Sequence, residues 1–311
     1  MLVYILYAKE NWITDELVKE WIANNKEIYT NNLNEATIIW ILSNYIIYNI
    51  PYNIYKQKKV ITTIHHITPW KVNSNGKSHF NTLNDITDVF HSICDKTTTE
   101  MEKYFNKPII TIPFWHNEHL WKPVDNIKIL RDKYNFKTTD FLIGSFQRDT
   151  EGNSISNGKY LPKTEKGPDI FVKAVTLLLK KNTNIKVVLT GYRRQYIMSE
   201  LKKLNIEYYY FEMCDFKDLN ELYNCLDLYI VGSRIEGGPR AINECSLLKI
   251  PLISTDVGIS SLLCHPKSIF DMNNVETILN CETYIDYNYE QAQKYTIKNH
   301  MKNFTETVFG K

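Results

Sequence analysis

The stretch 227–256 leaves the chain little choice of fold. Asp227-Leu-Tyr-Ile-Val231 is a short apolar run closed by Gly232 and Ser233, and Pro251-Leu-Ile-Ser-Thr255 is a second. Between them Ala241, Ile242, Cys245 and Leu248 recur at the spacing of one helix face. Strand, turn, helix and strand in so short a span form a parallel crossover. Pro239 suits the first helical position, because its missing N–H would have no partner there. Gly237 and Gly238 then form the turn ahead of the helix. Free backbone N–H groups and the positive end of the helix dipole at that point suit a phosphate or a sugar hydroxyl. Glu236 sits in the turn and Glu244 inside the helix, so the two carboxylates are placed to hold two hydroxyl-bearing parts of one ligand. The bland reading is a common turn followed by two solvated glutamates.

The same alternation runs through the chain twice. Residues 2–7, 36–42, 60–64, 88–93 and 108–112 read as strands. Residues 14–23, with Thr14 as N-cap and Leu17, Val18 and Trp21 on one face, and 98–105 read as helices. Beyond Asp125 a second series begins, with helix 127–134, strand 141–146 and helix 167–181. Strand 185–190, ending at Gly191, helix 194–204, strand 207–211 and helix 219–225 follow, and a single long helix over 289–308 comes last. The pattern predicts an α/β fold of two doubly wound, Rossmann-like parallel-sheet domains, 1–125 and 126–311, facing a cleft. The last helix is expected to pack back on the first domain, with ligands at the C-terminal ends of the strands.

Charge excludes some classes. A formal net charge of +2, with neither half strongly basic, argues against a nucleic-acid partner and a polybasic membrane surface. Every arginine lies from Arg131 onward. Guanidinium is the better fork for phosphate, which assigns an anionic ligand to the second half. Cys94, Cys214, Cys225, Cys245, Cys264 and Cys281 form no C-x-x-C pair and read as reduced core residues. The opening apolar run is too short for a signal segment, and 36–55 is broken by Ser43, Asn44, Asn49, Pro51 and Asn53. A cytoplasmic protein with at most peripheral membrane contact is expected.

Several elements of the second half fall together. Phe141-Leu-Ile-Gly-Ser-Phe-Gln147-Arg148 precedes Lys166-Gly167-Pro-Asp169 and Val187-Val-Leu-Thr-Gly191. Asp227-Leu-Tyr-Ile-Val, Glu236 to Glu244 at E-x7-E spacing, and Pro251-Leu-Ile follow. In order and interval this resembles the GT-B-fold glycosyltransferases of retaining family 4, the glycosyl transferases of group 1. The likeness covers residues 140–263. In the first half, Val60 to His65 is similar to a family strand ending in His, and Ile112-Pro113 to Pro123 to the stretch before the domain crossover. There are departures. Tyr7 to Trp12 stands where many members carry a Gly-rich loop, Gln147 replaces a Gly, Gly238-Pro239-Arg240 replaces a Phe-Gly-hydrophobic triplet, and 149–165 is inserted. An insert longer than about 12–15 residues is expected to be a mobile functional loop or disordered, here covering the donor or acceptor site.

The resemblance implies transfer of a hexose from a UDP- or GDP-sugar to a glycan or other hydroxyl acceptor, with retention. It implies Arg148 and Lys166 on the leaving diphosphate, Glu236 on the donor sugar, and His65 beside it. Gly191, Gly237, Gly238, Pro239, Arg240 and Glu244 are expected to bind the donor, with the Glu244 carboxylate implied on the ribose. Glu236 and Glu244 are both expected outside the core. Trp70, His79, Trp115, His116 and His119 are candidates for an acceptor groove, or else ordinary core and surface residues. No Asp-x-Asp occurs, so no metal and no further cofactor is expected, and cationic side chains with a helix dipole must meet the diphosphate charge. Two other readings stay open: a nucleotide-sugar epimerase or hydrolase of the same fold, and a catalytically silent sugar-nucleotide or glycan binder.

Overall fold

A computed structural model describes residues 1–10, 13–156 and 159–310, with 153, 154 and 156 as backbone only. Asn11 and Trp12, in the stretch read as replacing the Gly-rich loop, lie outside the described residues, as do Asn157 and Gly158 of the insert and Lys311. The first elements in chain order are β1 (Val3–Leu6), α1 (Ile13–Asn24), β2 (Ile38–Ile41), α2 (Tyr52–Tyr55), β3 (Lys59–Ile64), α3 (Ser74–Ile86), β4 (Val89–Ser92), α4 (Asp95–Met101) and β5 (Ile109–Thr111). Then come α5 (Ile127–Lys133), β6 (Phe141–Ser145), β7 (Thr150–Ser156), β8 (Lys159–Pro162), α6 (Pro168–Leu179), β9 (Ile185–Thr190), α7 (Gln195–Lys203) and β10 (Tyr208–Phe211). The remainder are α8 (Phe216–Asn224), β11 (Leu228–Val231), α9 (Arg240–Leu247), β12 (Leu252–Thr255), α10 (Ser260–Leu263), β13 (Ile269–Phe270), α11 (Ile285–Gln293) and α12 (Ile297–Phe309). The chain forms two compact units, Met1–Trp115 with Lys298–Lys311, and His116–Ile297. Their junction precedes Asp125, where the sequence reading divides the chain.

In the first unit β1 to β5 pair in parallel in sequence order. Val3 also bridges Tyr29 on the free side of β1. The chain therefore leaves β1 through α1 in one direction and returns to lay β2 on the other side. Right-handed crossovers then put α1 on one face and the later helices on the opposite one. The side chains agree. Trp40 of β2 meets Trp21 of α1 at 5.7 Å between ring centroids, whereas its neighbours Ile39 and Ile41 join Leu83, Ile86, Phe90, Met101 and Phe105 in a second core. Helix α12 seals the Trp40 face with Phe304 and Phe309, and Trp21 Nε1 donates to Thr305 Oγ1 at 3.2 Å.

The second unit has strand order β10-β9-β6-β11-β12-β13, all parallel. Order reverses between β6 and β11, so the crevice beyond their C-terminal ends is the switch point where such sheets take ligands. Helix α6 buries Ile170, Phe171, Ala174 and Val175 against Val187, Leu189 and Ile230. Gly167 caps α6 at φ 57°, and a Cβ there would lie 1.8 Å from the Gly232 carbonyl oxygen. Only glycine lets the start of α6 sit so close to the end of β11.

Four expectations need correction. The insert is no irregular loop: β7 and β8 form an antiparallel hairpin with a register shift between Thr150 and Ile155. The single helix over 289–308 is two helices, because His116 N–H donates to Tyr295 O and Ile297 N–H to His116 O, diverting the backbone into a bridge at Thr296. Thr14 lies inside α1 and is not its cap. Pro239 is the residue before α9, whose first helical residue is Arg240.

Candidate active site

Two loops meet beyond β6 and β11. Lys166 closes the turn before α6, and Glu236 stands in the turn before α9. The Lys166 ammonium is paired directly with Glu236 Oε2, the two side chains being 20% and 10% exposed. The other carboxylate oxygen, Oε1, accepts from the Ser233 hydroxyl. Ser233 is fully buried, and its carbonyl oxygen accepts from the Thr255 hydroxyl. Gln147, at the end of β6, donates from Nε2 to the Lys166 carbonyl oxygen at 3.0 Å, and its Oε1 lies 3.3 Å from Ser233 Oγ. The cluster thus ties β6, the start of α6, β11 and β12 to one carboxylate. Gly258, at φ 53°, packs against the back of the same turn, where a Cβ would fall 2.4 Å from the Gly237 carbonyl oxygen.

Glu244 lies on α9 and is buried, against the expectation that it stays outside the core. Its Oε2 accepts from the Tyr223 hydroxyl at 2.6 Å, and its Oε1 is 3.9 Å from Arg240 Nε. Burial raises the Glu244 carboxyl above its ordinary range, and Arg240 and Tyr223 oppose that only in part. Tyr223 is held in turn against Trp121, Phe146 and Tyr229. The first turn of α9, like every helix N-terminus, leaves backbone N–H groups without intrahelical partners.

Arg148 follows Gln147 and donates from Nε to Thr150 O at 3.1 Å. Its pKa is lowered by burial first and then by the neighbouring charge of Arg193. Behind it the fully buried Arg194 donates to Asp149 Oδ2, to Ser145 O at 2.5 Å and to Thr190 O at 2.6 Å. The root of the hairpin also caps α7. Thr150 Oγ1 accepts from Tyr196 N–H at 2.8 Å and Asp149 Oδ1 from Ile197 N–H at 3.4 Å. An acidic side chain at that helix end is favoured by the dipole as well. Asp169, in the first turn of α6, is forked by Arg234 at 2.7 and 2.5 Å.

Lys166 and Glu236 touch, and Arg240 and Glu244 form a neighbouring pair one step along the same turn and helix. Gly191 closes β9 at φ 85°, with its N–H on Phe211 O. His65 belongs to the first unit, where its Nε2 is bonded to Leu42 O at 3.0 Å and burial lowers its pKa. Of the groove candidates, Trp115 and His116 are buried, with Trp115 Nε1 on Glu20, while Trp70 and His119 are exposed. His79 lies 3.4 Å from Asn44 Oδ1. The sequence reading missed Ser233 and Tyr223 and took Gln147 only as a departure. Ser233 had a signal, a hydroxyl just past a strand and three residues before Glu236, whereas nothing in the sequence joins Tyr223 to Glu244. The six cysteines are free, and no helix among the described residues is long and apolar enough to cross a membrane.

Residues 155–280 match the family model described as Glycosyl transferases group 1. That match and the two Rossmann-like units define the class: a protein of the GT-B glycosyltransferase fold. Among solved structures, HepE of Anabaena, crystallised with UDP, is similar over 100% of both chains, with a TM-score of 0.77 at 14% identity. HepE has also been crystallised with UDP-glucose. Sucrose-phosphate synthase of Thermosynechococcus elongatus matches 98% of this chain and 81% of its own, with a TM-score of 0.68 at 13% identity. TarM of S. aureus, as a mutant in complex with Fondaparinux, alpha-GlcNAc-glycerol and UDP, matches 94% of this chain and 58% of its own, with a TM-score of 0.59 at 14% identity. No curated protein matches the chain by sequence.

Proposed function

We propose that the chain is a glycosyltransferase of retaining family 4, moving a hexose from a UDP- or GDP-sugar to a hydroxyl acceptor. The observation that carries this reading is the meeting of Lys166, Glu236 and Ser233 at the switch point of the second sheet, one turn from the buried Glu244 and its neighbour Arg240. Breaking a glycosidic bond to a diphosphate builds negative charge on the leaving group, and preorganised donors that meet it lower the barrier. Lys166, Arg148 and the N-terminus of α9 supply those donors. Glu244 accepts the ribose hydroxyls, Glu236 the sugar hydroxyls, and Gly191, Gly237, Gly238, Pro239 and Arg240 shape the nucleotide side. The first unit carries the acceptor, with His65 positioning the sugar. UDP is the first nucleotide to try, because it is the one bound by HepE and TarM.

Transfer from UDP-glucose and GDP-sugars to a panel of glycans, followed by mass spectrometry and in the presence of EDTA, tests the reading. Acceptor-dependent release of the nucleoside diphosphate that survives chelation is expected. Loss of turnover on chelation, restored by Mg2+ or Mn2+, would overturn the assignment of the diphosphate charge to Lys166 and Arg148. Hydrolysed or epimerised donor without transfer would overturn the transferase itself.

A further inference from the structure

The Lys166–Glu236 contact raises a question of charge balance that the donor-binding reading leaves open. Both partners are largely shielded, and Glu236 is held at both oxygens, by the Lys166 ammonium and by the Ser233 hydroxyl. A diphosphate that reaches Lys166 competes with Glu236 for a single ammonium charge and draws it off the carboxylate. Removing one partner of a shielded ion pair leaves the other charge uncompensated, which is costly. A free nucleoside diphosphate satisfies Lys166 and leaves the Glu236 carboxylate with Ser233 alone. A nucleotide sugar satisfies both, since its phosphate takes Lys166 and its hydroxyls donate to the released carboxylate oxygen.

We infer that Glu236 is a discriminating residue, competing with the diphosphate for Lys166 so that the site takes the intact donor in preference to the spent nucleoside diphosphate. Ser233 is its positioning residue. This rests on the donor reading above. Ser233 is well suited to that part: its backbone is fixed through the Thr255 hydroxyl, its hydroxyl faces Gln147 as well as Glu236, and it is fully buried. The carboxylate is thereby kept in the turn while it changes partner. After transfer the sugar leaves, Glu236 regains Lys166, and the nucleoside diphosphate is weakened on its way out.

The test is titration calorimetry of UDP and UDP-glucose against the wild type, Glu236→Gln and Ser233→Ala, with GDP and GDP-mannose as the second pair. Glutamine keeps the shape and removes the competing charge. Glu236→Gln should therefore bind UDP tighter than the wild type, by about tenfold, the scale of one charged hydrogen bond. Its preference for UDP-glucose over UDP should shrink by at least the same factor. Ser233→Ala keeps the carboxylate but loosens it, so it should reduce that preference without tightening UDP to the level of Glu236→Gln. Should Glu236→Gln not melt cooperatively, Glu236→Ala carries the same expectation. If the wild type binds UDP or GDP and neither Glu236 variant binds it more tightly, the competition is absent and this inference falls alone. If the wild type binds neither a nucleoside diphosphate nor a nucleotide sugar, the donor reading falls, and this inference with it.

Discussion

Burial raises the Glu244 carboxyl above its ordinary value of 4.5, with Arg240 and Tyr223 offsetting part of the rise. As pH climbs from that value the unfolded chain gives up the proton before the folded one does. The folded state then holds more protons, and stability falls through the window. Glu244→Gln removes the charge and keeps an acceptor for the Tyr223 hydroxyl. The ligand-free variant should melt higher than the wild type near neutral pH, and the gain should fade in acid, where the wild-type carboxyl is protonated in both states. The same variant should weaken UDP and UDP-glucose by similar factors, about ten- to a hundredfold, because the ribose is common to both. Scanning fluorimetry across pH and calorimetry check the two halves. A neutral-pH loss of stability would mean that Glu244 contributes to folding as an ion, and unequal weakening of the two ligands would move it off the ribose.

The hairpin β7–β8 has a root and a tip that answer to different forces. At the root, Asp149 and Thr150 are buried, cap α7 and neutralise the fully buried Arg194. At the tip, Ile155 and Leu161 are exposed. Replacing 152–160 by a Gly-Ser link should leave the melting temperature nearly unchanged and alter acceptor use or turnover. Asp149→Ala should cost about 3–5 kcal/mol, since it strands a buried guanidinium. Urea unfolding and initial rates read the two variants. A tip swap that leaves every rate unchanged would make the hairpin a passive excursion. Here the limits of sequence reading are physical. Five strands of the second sheet and α6 were legible because each carries its own apolar period, and so was the turn holding Glu236, whereas the two-residue β13 is too short to show one. The hairpin was not, because its strands are polar and short. Nor was the break before α12, because the bridge that causes it comes from His116, far away in sequence.

On the scale of the whole molecule, the α/β class and the doubling of the Rossmann pattern could be read in advance, since alternating periods fix both. The order of strands in the first unit could not, because the bridge of Tyr29 to Val3 that reverses the crossover is a single residue pair. The first unit relies on α12, beside α1, to close the Trp40 face of its sheet. Phe304 is fully buried against Trp40, Phe114 and Trp115. Phe304→Ala should destabilise the protein by about 3–5 kcal/mol, the range for aromatic truncation in a packed core. Tryptophan fluorescence, reporting Trp21, Trp40 and Trp115, should lose its native signal at lower urea. An unchanged midpoint would show that the face is closed without α12.

That helix also sets a timetable. Residues 298–310 pack on strands made before the second unit, yet the ribosome must thread all of His116–Ile297 before they emerge. Domains commonly fold in the order in which they are made. Here the first unit cannot finish first, and Trp21 and Trp40 wait without their cover while the second unit takes shape. The nascent chain should accordingly show a protease-resistant second unit before a protected first one.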